Sequence, residues 1–141
     1  MSNQQPIEIN PTETHQLLHE NTRSLLIDVR SSMEFLFVGH PTGAISIPWI
    51  DEPDWEVNPN FVREIKHLIL GGSCGDKKHQ PPILLICRSG KRSHEAGISL
   101  IESGILNVYN VVGGFEGERD EHSQRSTVNG WRFENLPWEQ C

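Results

Sequence analysis

Residues 86–93 read ICRSGKRS: Cys87 closes an apolar run, and Arg88, Lys91 and Arg92 follow it within five positions. A cysteine attacks as its thiolate, and a free thiol with a pKa of ~8.5 is brought toward neutrality by nearby cations or a helix N-terminus. Both influences are available here. Gly90 lets the chain bend tightly, so the backbone N–H groups of Arg88, Ser89, Gly90, Lys91, Arg92 and Ser93 are expected to face inward. They would form an anion-binding nest backed by the dipole of the next helix. Such a loop would hold an anionic sulfur and attract an anionic donor. Taken singly, a strand-end cysteine is core filler and loop cations are solvated. Together, at a strand-to-helix turn, they point to chemistry. Cysteine phosphatases carry C-x5-R, usually with histidine before the cysteine, whereas here Ile86 precedes Cys87 and Arg92 gives C-x4-R. The shorter ring of amides suits a persulfide sulfur better than a phosphoryl group.

The rest of the chain narrows the setting. Its 141 residues fit one domain with a single sizeable core. A net charge of −7 argues against nonspecific binding to nucleic acid or to an anionic membrane, and it makes the cationic cluster local. No apolar run reaches the ~20 residues of a membrane span. The start MSNQQPIEIN has no secretory pattern, so a cytoplasmic, reducing location is expected. The three cysteines, Cys74, Cys87 and Cys141, are odd in number and irregularly spaced, so no disulfide framework is indicated. Cys74 and Cys141 are read as incidental free thiols, with a resolving or relay role as the alternative. Zinc would have to recruit His67, Cys74 and His79, a spacing that matches no common site. No metal and no cofactor are expected.

The elements that would position the loop can be read from pattern. Residues 1–6 are expected to be loose, and Ile7 to Ile9 form a short strand. Asn10-Pro11 opens a helix through residue 20. LLIDV at 25–29 is a buried strand, and the capping-box spacing of Ser31 and Glu34 starts a short helix that Gly39 ends. AISI at 44–47 is a further strand, and DEPDWEVNPN at 51–60 an acidic loop. A helix runs from Asn58-Pro59 to Leu70, with Gly71 and Gly72 as its stop. ILLIC at 83–87 is continuously apolar, as in a strand buried on both faces. An amphipathic helix over 93–103 and a strand at 108–112 follow. Alternating strands and helices give an α/β domain with a mainly parallel central sheet flanked by helices. Chemistry in such a sheet sits beyond the carboxyl ends of the strands, where Cys87 falls. Residues 117–129 are expected to form a mobile loop, and GWRFENLPW at 130–138 to pack back on the domain.

In this order the motifs resemble a single-domain rhodanese, a sulfurtransferase of the thiosulfate:cyanide type. LLIDVRSSMEF at 25–35 is similar to the family's strand-turn-helix with its acid and arginine, Asp28 and Arg30. GHPTGAISIP at 39–48 resembles the family's GHIPGAxxIP, departing from it at Pro41-Thr42. CRSGKRS at 87–93 is similar to the active-site loop of catalytic members, VVGGFEG at 111–117 to the glycine-rich turn after the last central strand, and GWRFENLPW to the C-terminal segment. The resemblance covers most of the chain. It implies a double displacement in which a donor such as thiosulfate leaves its outer sulfur on Cys87 and a thiol, or cyanide, removes it.

On that reading Cys87 is catalytic and residues Arg88, Ser89, Gly90, Lys91, Arg92 and Ser93 bind substrate and persulfide. Arg88 and Lys91 are assigned to the donor, with Arg92 bracing the loop. Asp28 and Arg30 are read as a structural pair, Glu34 as a capping residue, and Phe115 and Glu116 as the rim of the pocket. The partners implied are a small anionic sulfur donor and a thiol acceptor. A rival reading is a sulfur-relay module that takes persulfide from a partner protein and has little activity on small donors. The acidic loop and the 117–129 insertion motivate it. A phosphatase or arsenate reductase is the third reading.

Overall fold

The computed structural model describes residues 4–72 and 80–140, so Cys74, His79 and Cys141 lie outside the described residues. In chain order the elements are β1 (Ile7–Ile9), α1 (Pro11–Glu20), β2 (Leu25–Asp28), a π-helical turn (Glu34–Val38), β3 (His40–Pro41), β4 (Ile45–Ser46), β5 (Ile50–Asp51), β6 (Glu56–Val57), α2 (Phe61–Gly72), β7 (Ile83–Ile86), α3 (Lys91–Glu102), β8 (Val108–Val111) and β9 (Trp138–Glu139). Five strands form the central sheet in the order β1-β8-β7-β2-β4, and every neighbouring pair is parallel. All five carboxyl ends therefore open on one edge.

Period-two alternation explains the core. Ile83, Leu85 and Cys87 face one layer with Ile27 and Val29, and α2 and α3 cover it through Phe61, Ile65, Ala96 and Leu100. Leu84 and Ile86 face the other layer with Leu26, Val111, Phe115 and Trp131, against which Leu17 and Leu18 of α1 pack. All four residues of β7 are buried, which is why that strand reads as unbroken apolar sequence. Burying each such side chain contributes about 1.5–3 kcal/mol. Among the described residues no helix is long and apolar enough to cross a membrane.

Local signals set the helix ends. Asn10 and Glu13 make a reciprocal capping box, with Glu13 N–H donating to Asn10 Oδ1 at 2.8 Å and Asn10 N–H to Glu13 Oε1 at 3.2 Å. Ser31 and Glu34 make the second pair, with Ser31 N–H donating to Glu34 Oε1 at 3.1 Å and Glu34 N–H to Ser31 Oγ at 3.3 Å. The turn that follows is π-helical, closed by Gly39 N–H donating to the Glu34 carbonyl at 3.2 Å. Single π turns recur at functional sites.

Two expectations are corrected. Helix α2 continues through Gly71 to Gly72. Burial of Phe61, Ile65 and Ile69 along one stripe outweighs the ~1 kcal/mol propensity cost of a glycine. The acidic loop is partly ordered as an antiparallel hairpin, with Ile50 opposite Val57 and Asp51 opposite Glu56. Near the ends, Pro6 is buried while Gln4 and Gln5 are exposed. Residues 118–129 carry neither helix nor strand and are folded about Asp120, which accepts from His122 N–H, Gln124 N–H and Thr127 Oγ1. In the C-terminal segment Trp131 is 1% exposed and donates from Nε1 to the Pro137 carbonyl at 2.8 Å. Glu134 accepts from the N–H and hydroxyl of Thr12, and β9 pairs with β3.

Candidate active site

Cys87 follows the last residue of β7 and immediately precedes the turn into α3. Its side chain is 1% exposed, and it completes the apolar layer under α2 and α3. The sulfur nevertheless has polar partners. Gly90 N–H donates to Sγ at 3.1 Å, and Ser93 Oγ lies 3.3 Å from it. Gly90 has φ +115, a conformation that suits glycine, and it turns its amide back onto the sulfur immediately before α3 begins at Lys91. Among the described residues, Gly90 supplies the loop amide bonded to Sγ. The N–H groups of Lys91, Arg92 and Ser93 lie in the first turn of α3, where no intrahelical carbonyl takes them.

Ser93 has one hydroxyl proton and two neighbours for it. Asn110 Oδ1 lies at 2.5 Å and Cys87 Sγ at 3.3 Å. Asn110, buried on β8, also donates from Nδ2 to the Gly90 carbonyl at 3.2 Å. One side chain therefore ties both residues that touch the sulfur. As negative charge develops on Sγ, rotation of the Ser93 hydroxyl brings a second donor to it.

The three cations have different fates. Arg88 and Lys91 are exposed. Arg92 turns to Glu34, 58 residues away in sequence, and makes two bonds with it: Nη1 to Oε1 at 2.8 Å and Nη2 to Oε2 at 3.0 Å. Burial alone would raise the Glu34 pKa, but the paired guanidinium outweighs it and holds the carboxyl down at about 2. In the same way burial would lower Arg92, and the Glu34 carboxylate, followed by the field of Cys87, raises it. Beside the loop lies an open cavity of about 510 Å³ lined by Ser89, Gly90, Lys91, His94, Asn110 and Glu118, among others.

Asp28 and Arg30 lie on the opposite face of the sheet from Cys87. Both are 0% exposed and joined twice, Nε to Oδ1 at 2.9 Å and Nη2 to Oδ2 at 2.7 Å. Arg30 Nη2 also donates to the Gly39 carbonyl at 2.5 Å. The pair thus pins the far end of the π turn whose first residue, Glu34, holds Arg92. It acts on the loop through that turn; among the described residues no hydrogen bond or ion pair joins it to Cys87.

Phe115 does not line the mouth of the site. It is 0% exposed, lies 4.6 Å under the Arg30 guanidinium and packs edge-on against Trp138. Glu116 sits between Arg30, at 4.0 Å, and Arg132, at 3.7 Å. The 113–117 turn serves the site through its backbone. Phe115 N–H donates to the Cys87 carbonyl at 2.7 Å, and Glu116 and Gly117 donate to the Arg88 carbonyl at 3.0 and 3.1 Å. Gly114, at φ +61, permits this approach, since a Cβ there would lie 2.6 Å from the Arg88 carbonyl oxygen.

Sequence reasoning missed Asn110, the Glu34–Arg92 pair and Arg125. Arg125 Nη1 donates to the Gly117 carbonyl at 2.6 Å, and Gly117 N–H donates to the Arg88 carbonyl at 3.1 Å, so the 117–129 segment brings a further cation toward the loop; burial, then the charge of Arg88, lowers its pKa. A strand-centre polar residue, Asn110, in the apolar run VYNVV was the available signal. Among the described residues no group of three or more His, Cys, Asp or Glu is placed to hold a metal ion.

This geometry can be set against known proteins. The sequence profile of the rhodanese-like domain matches residues 10–121. The chain belongs to the rhodanese-like family. A solved structure of Rv0390 from M. tuberculosis superposes with a TM-score of 0.81 at 33% identity, over 98% of this chain and 100% of that one. An uncharacterized protein of Rickettsia rickettsii, an RP600 homolog, is 31% identical over 91% of this chain and 93% of its own length. The chloroplastic thiosulfate sulfurtransferase 16 of Arabidopsis thaliana is 31% identical over 78% of this chain and 84% of its own. The all-parallel rhodanese-like sheet and the sequence resemblance agree.

Proposed function

We propose that the chain is a sulfurtransferase that carries sulfane sulfur on Cys87, taking it from a small anionic donor such as thiosulfate and passing it to a thiol, or to cyanide in the test tube. The observation that carries this reading is the sulfur of Cys87 at the end of a buried strand, with the Gly90 amide at 3.1 Å and the Ser93 hydroxyl at 3.3 Å. Membership of a family that includes a named thiosulfate sulfurtransferase supports the choice of donor.

In the first step the Cys87 thiolate attacks the outer sulfur of thiosulfate. A new S–S bond forms, the old one breaks, and sulfite leaves with the electron pair. In the second step an acceptor thiolate or cyanide attacks the outer sulfur of the persulfide, and Cys87 leaves as a thiolate. Donors fixed beforehand stabilise the charge on sulfur in both steps without reorganising at the moment of reaction. The Gly90 amide fills that role, and the Ser93 hydroxyl, turning from Asn110 Oδ1, joins it as charge develops on Sγ. Exposed Arg88 and Lys91 attract and orient the donor's sulfonate. Phosphoryl transfer is the weaker reading, because the arginine it would need, Arg92, is committed to Glu34.

The test is thiocyanate production from thiosulfate and cyanide. Wild type should turn over and Cys87→Ser should not. Turnover that survives in Cys87→Ser, or a wild type without turnover, would count against the proposal.

A further inference from the structure

Between Ser31 and Val62 the chain has five carboxylates, Glu34, Asp51, Glu52, Asp54 and Glu56, and no lysine or arginine. The same stretch exposes unusually large apolar side chains: Met33 55%, Leu36 42%, Phe37 63%, Trp55 57% and Val57 49%. Exposed apolar groups gathered with charge of one sign mark interaction sites.

Hydrogen bonds join these features to the active-site loop. Ser32 donates from its N–H to Asp51 Oδ1 at 2.9 Å and from its hydroxyl to Asp51 Oδ2 at 2.7 Å, which fixes the β5–β6 hairpin beside the π turn. Glu34 of that turn holds Arg92. The hairpin, the turn and the Cys87 loop are therefore neighbours. On the hairpin side a hollow of about 420 Å³ between Pro48 and Pro59 is walled by Asp51, Glu52, Asp54 and Glu56. Its carboxylates and its size suit an inserted lysine or arginine side chain.

We propose that this face docks a basic protein that presents its own cysteine to Cys87; the sulfur-transfer half of this statement rests on the function proposed above. The chemistry selects the occupant. An anionic membrane surface or a nucleic acid would be repelled by the carboxylates. A second copy of this chain packed through the same face would set Asp51, Asp54 and Glu56 against themselves, with −7 on each copy. A basic partner meets the carboxylates with complementary charge and covers Phe37 and Trp55 with its own apolar surface.

The probes are two cysteine-containing peptides, one alternating lysine and leucine and one with glutamate for each lysine. Binding is read by anisotropy on Cys87→Ser protein, which separates docking from sulfur chemistry. Sulfur transfer is read on thiosulfate-loaded wild type. The lysine peptide should bind, and should remove sulfur at least ~10-fold faster than the glutamate peptide at low salt, with the advantage shrinking as salt rises. The double change Asp54→Asn with Glu56→Gln should erase that preference, and Phe37→Ser should weaken binding of both peptides, while thiosulfate loading stays unchanged in each variant. Equal binding of the two peptides, a preference that survives the double change, or binding that Phe37→Ser leaves untouched would overturn the surface. Self-association of wild type that Phe37→Ser abolishes would assign the face to a second copy and overturn the basic partner. Selective binding of the lysine peptide to Cys87→Ser, with no sulfur gained by wild type, would uphold the surface while sinking the sulfur-transfer reading.

Discussion

Replacing Glu34 with glutamine tests the link between the π turn and the catalytic loop. The carboxyl is depressed from 4.5 to about 2, with burial opposing the shift and the Arg92 pair overcoming it. At about 1.4 kcal/mol per pH unit the pair contributes at most about 3–4 kcal/mol to folding. Glu34 and Arg92 are 21% and 23% exposed, so solvent screening trims this toward about 2 kcal/mol. Because the folded-state pKa is the lower one, the contribution is fully present above 4.5 and is lost as pH falls from there to about 2. Urea unfolding of wild type and Glu34→Gln across that range isolates it, since the other carboxylates titrate alike in both proteins. The variant should be about 2 kcal/mol less stable at neutral pH, and the two curves should converge in acid. Curves that stay parallel down to the lowest pH would refute the reasoning. Loss of the pair also frees Arg92, so sulfur transfer should slow together with the loss of stability.

Ser93→Ala removes the hydroxyl at Sγ, and Asn110→Leu removes the side chain that tethers both Ser93 and Gly90; each should slow loading of Cys87 about tenfold, the rate equivalent of one hydrogen bond of about 1.4 kcal/mol. Stopped-flow loading of the double variant should lose less than the sum of the two changes, because both act on the Ser93 hydroxyl; fully additive losses would contradict this. Gly114→Ala should abolish thiocyanate production and lower the melting temperature, since its Cβ would meet the Arg88 carbonyl oxygen at 2.6 Å and the Cys87 carbonyl oxygen closer still. Gly104→Ala, at φ +91 with nothing within 4 Å of the added carbon, should cost some stability and leave turnover intact. A Gly114→Ala enzyme as active as Gly104→Ala would disprove the role of that turn.

The parts legible in the sequence were those written in local pattern. ILLI at 83–86 has to be a doubly buried strand, and the strand before a glycine-containing cationic loop places Cys87 at a carboxyl edge. Ser31 and Glu34 gave away their capping box by spacing alone. Contacts distant in sequence were not legible. Glu34 satisfies its helix start and also reaches Arg92, and no local rule distinguishes a carboxylate with one duty from a carboxylate with two. Phe115 was expected at the rim because it follows two glycines. The turn of Gly113 and Gly114 instead sends it inward under Arg30. The length of α2 depended on tertiary burial of Phe61, Ile65 and Ile69, which glycine propensity does not register.

The most direct measurement is the intact mass of the protein after exposure to thiosulfate and removal of excess donor, followed by peptide mapping. The account predicts a gain of one sulfur atom, located on Cys87, discharged by cyanide and not acquired by Cys87→Ser. A wild-type protein that keeps its original mass, or one whose added sulfur maps to Cys74 or Cys141, would contradict it.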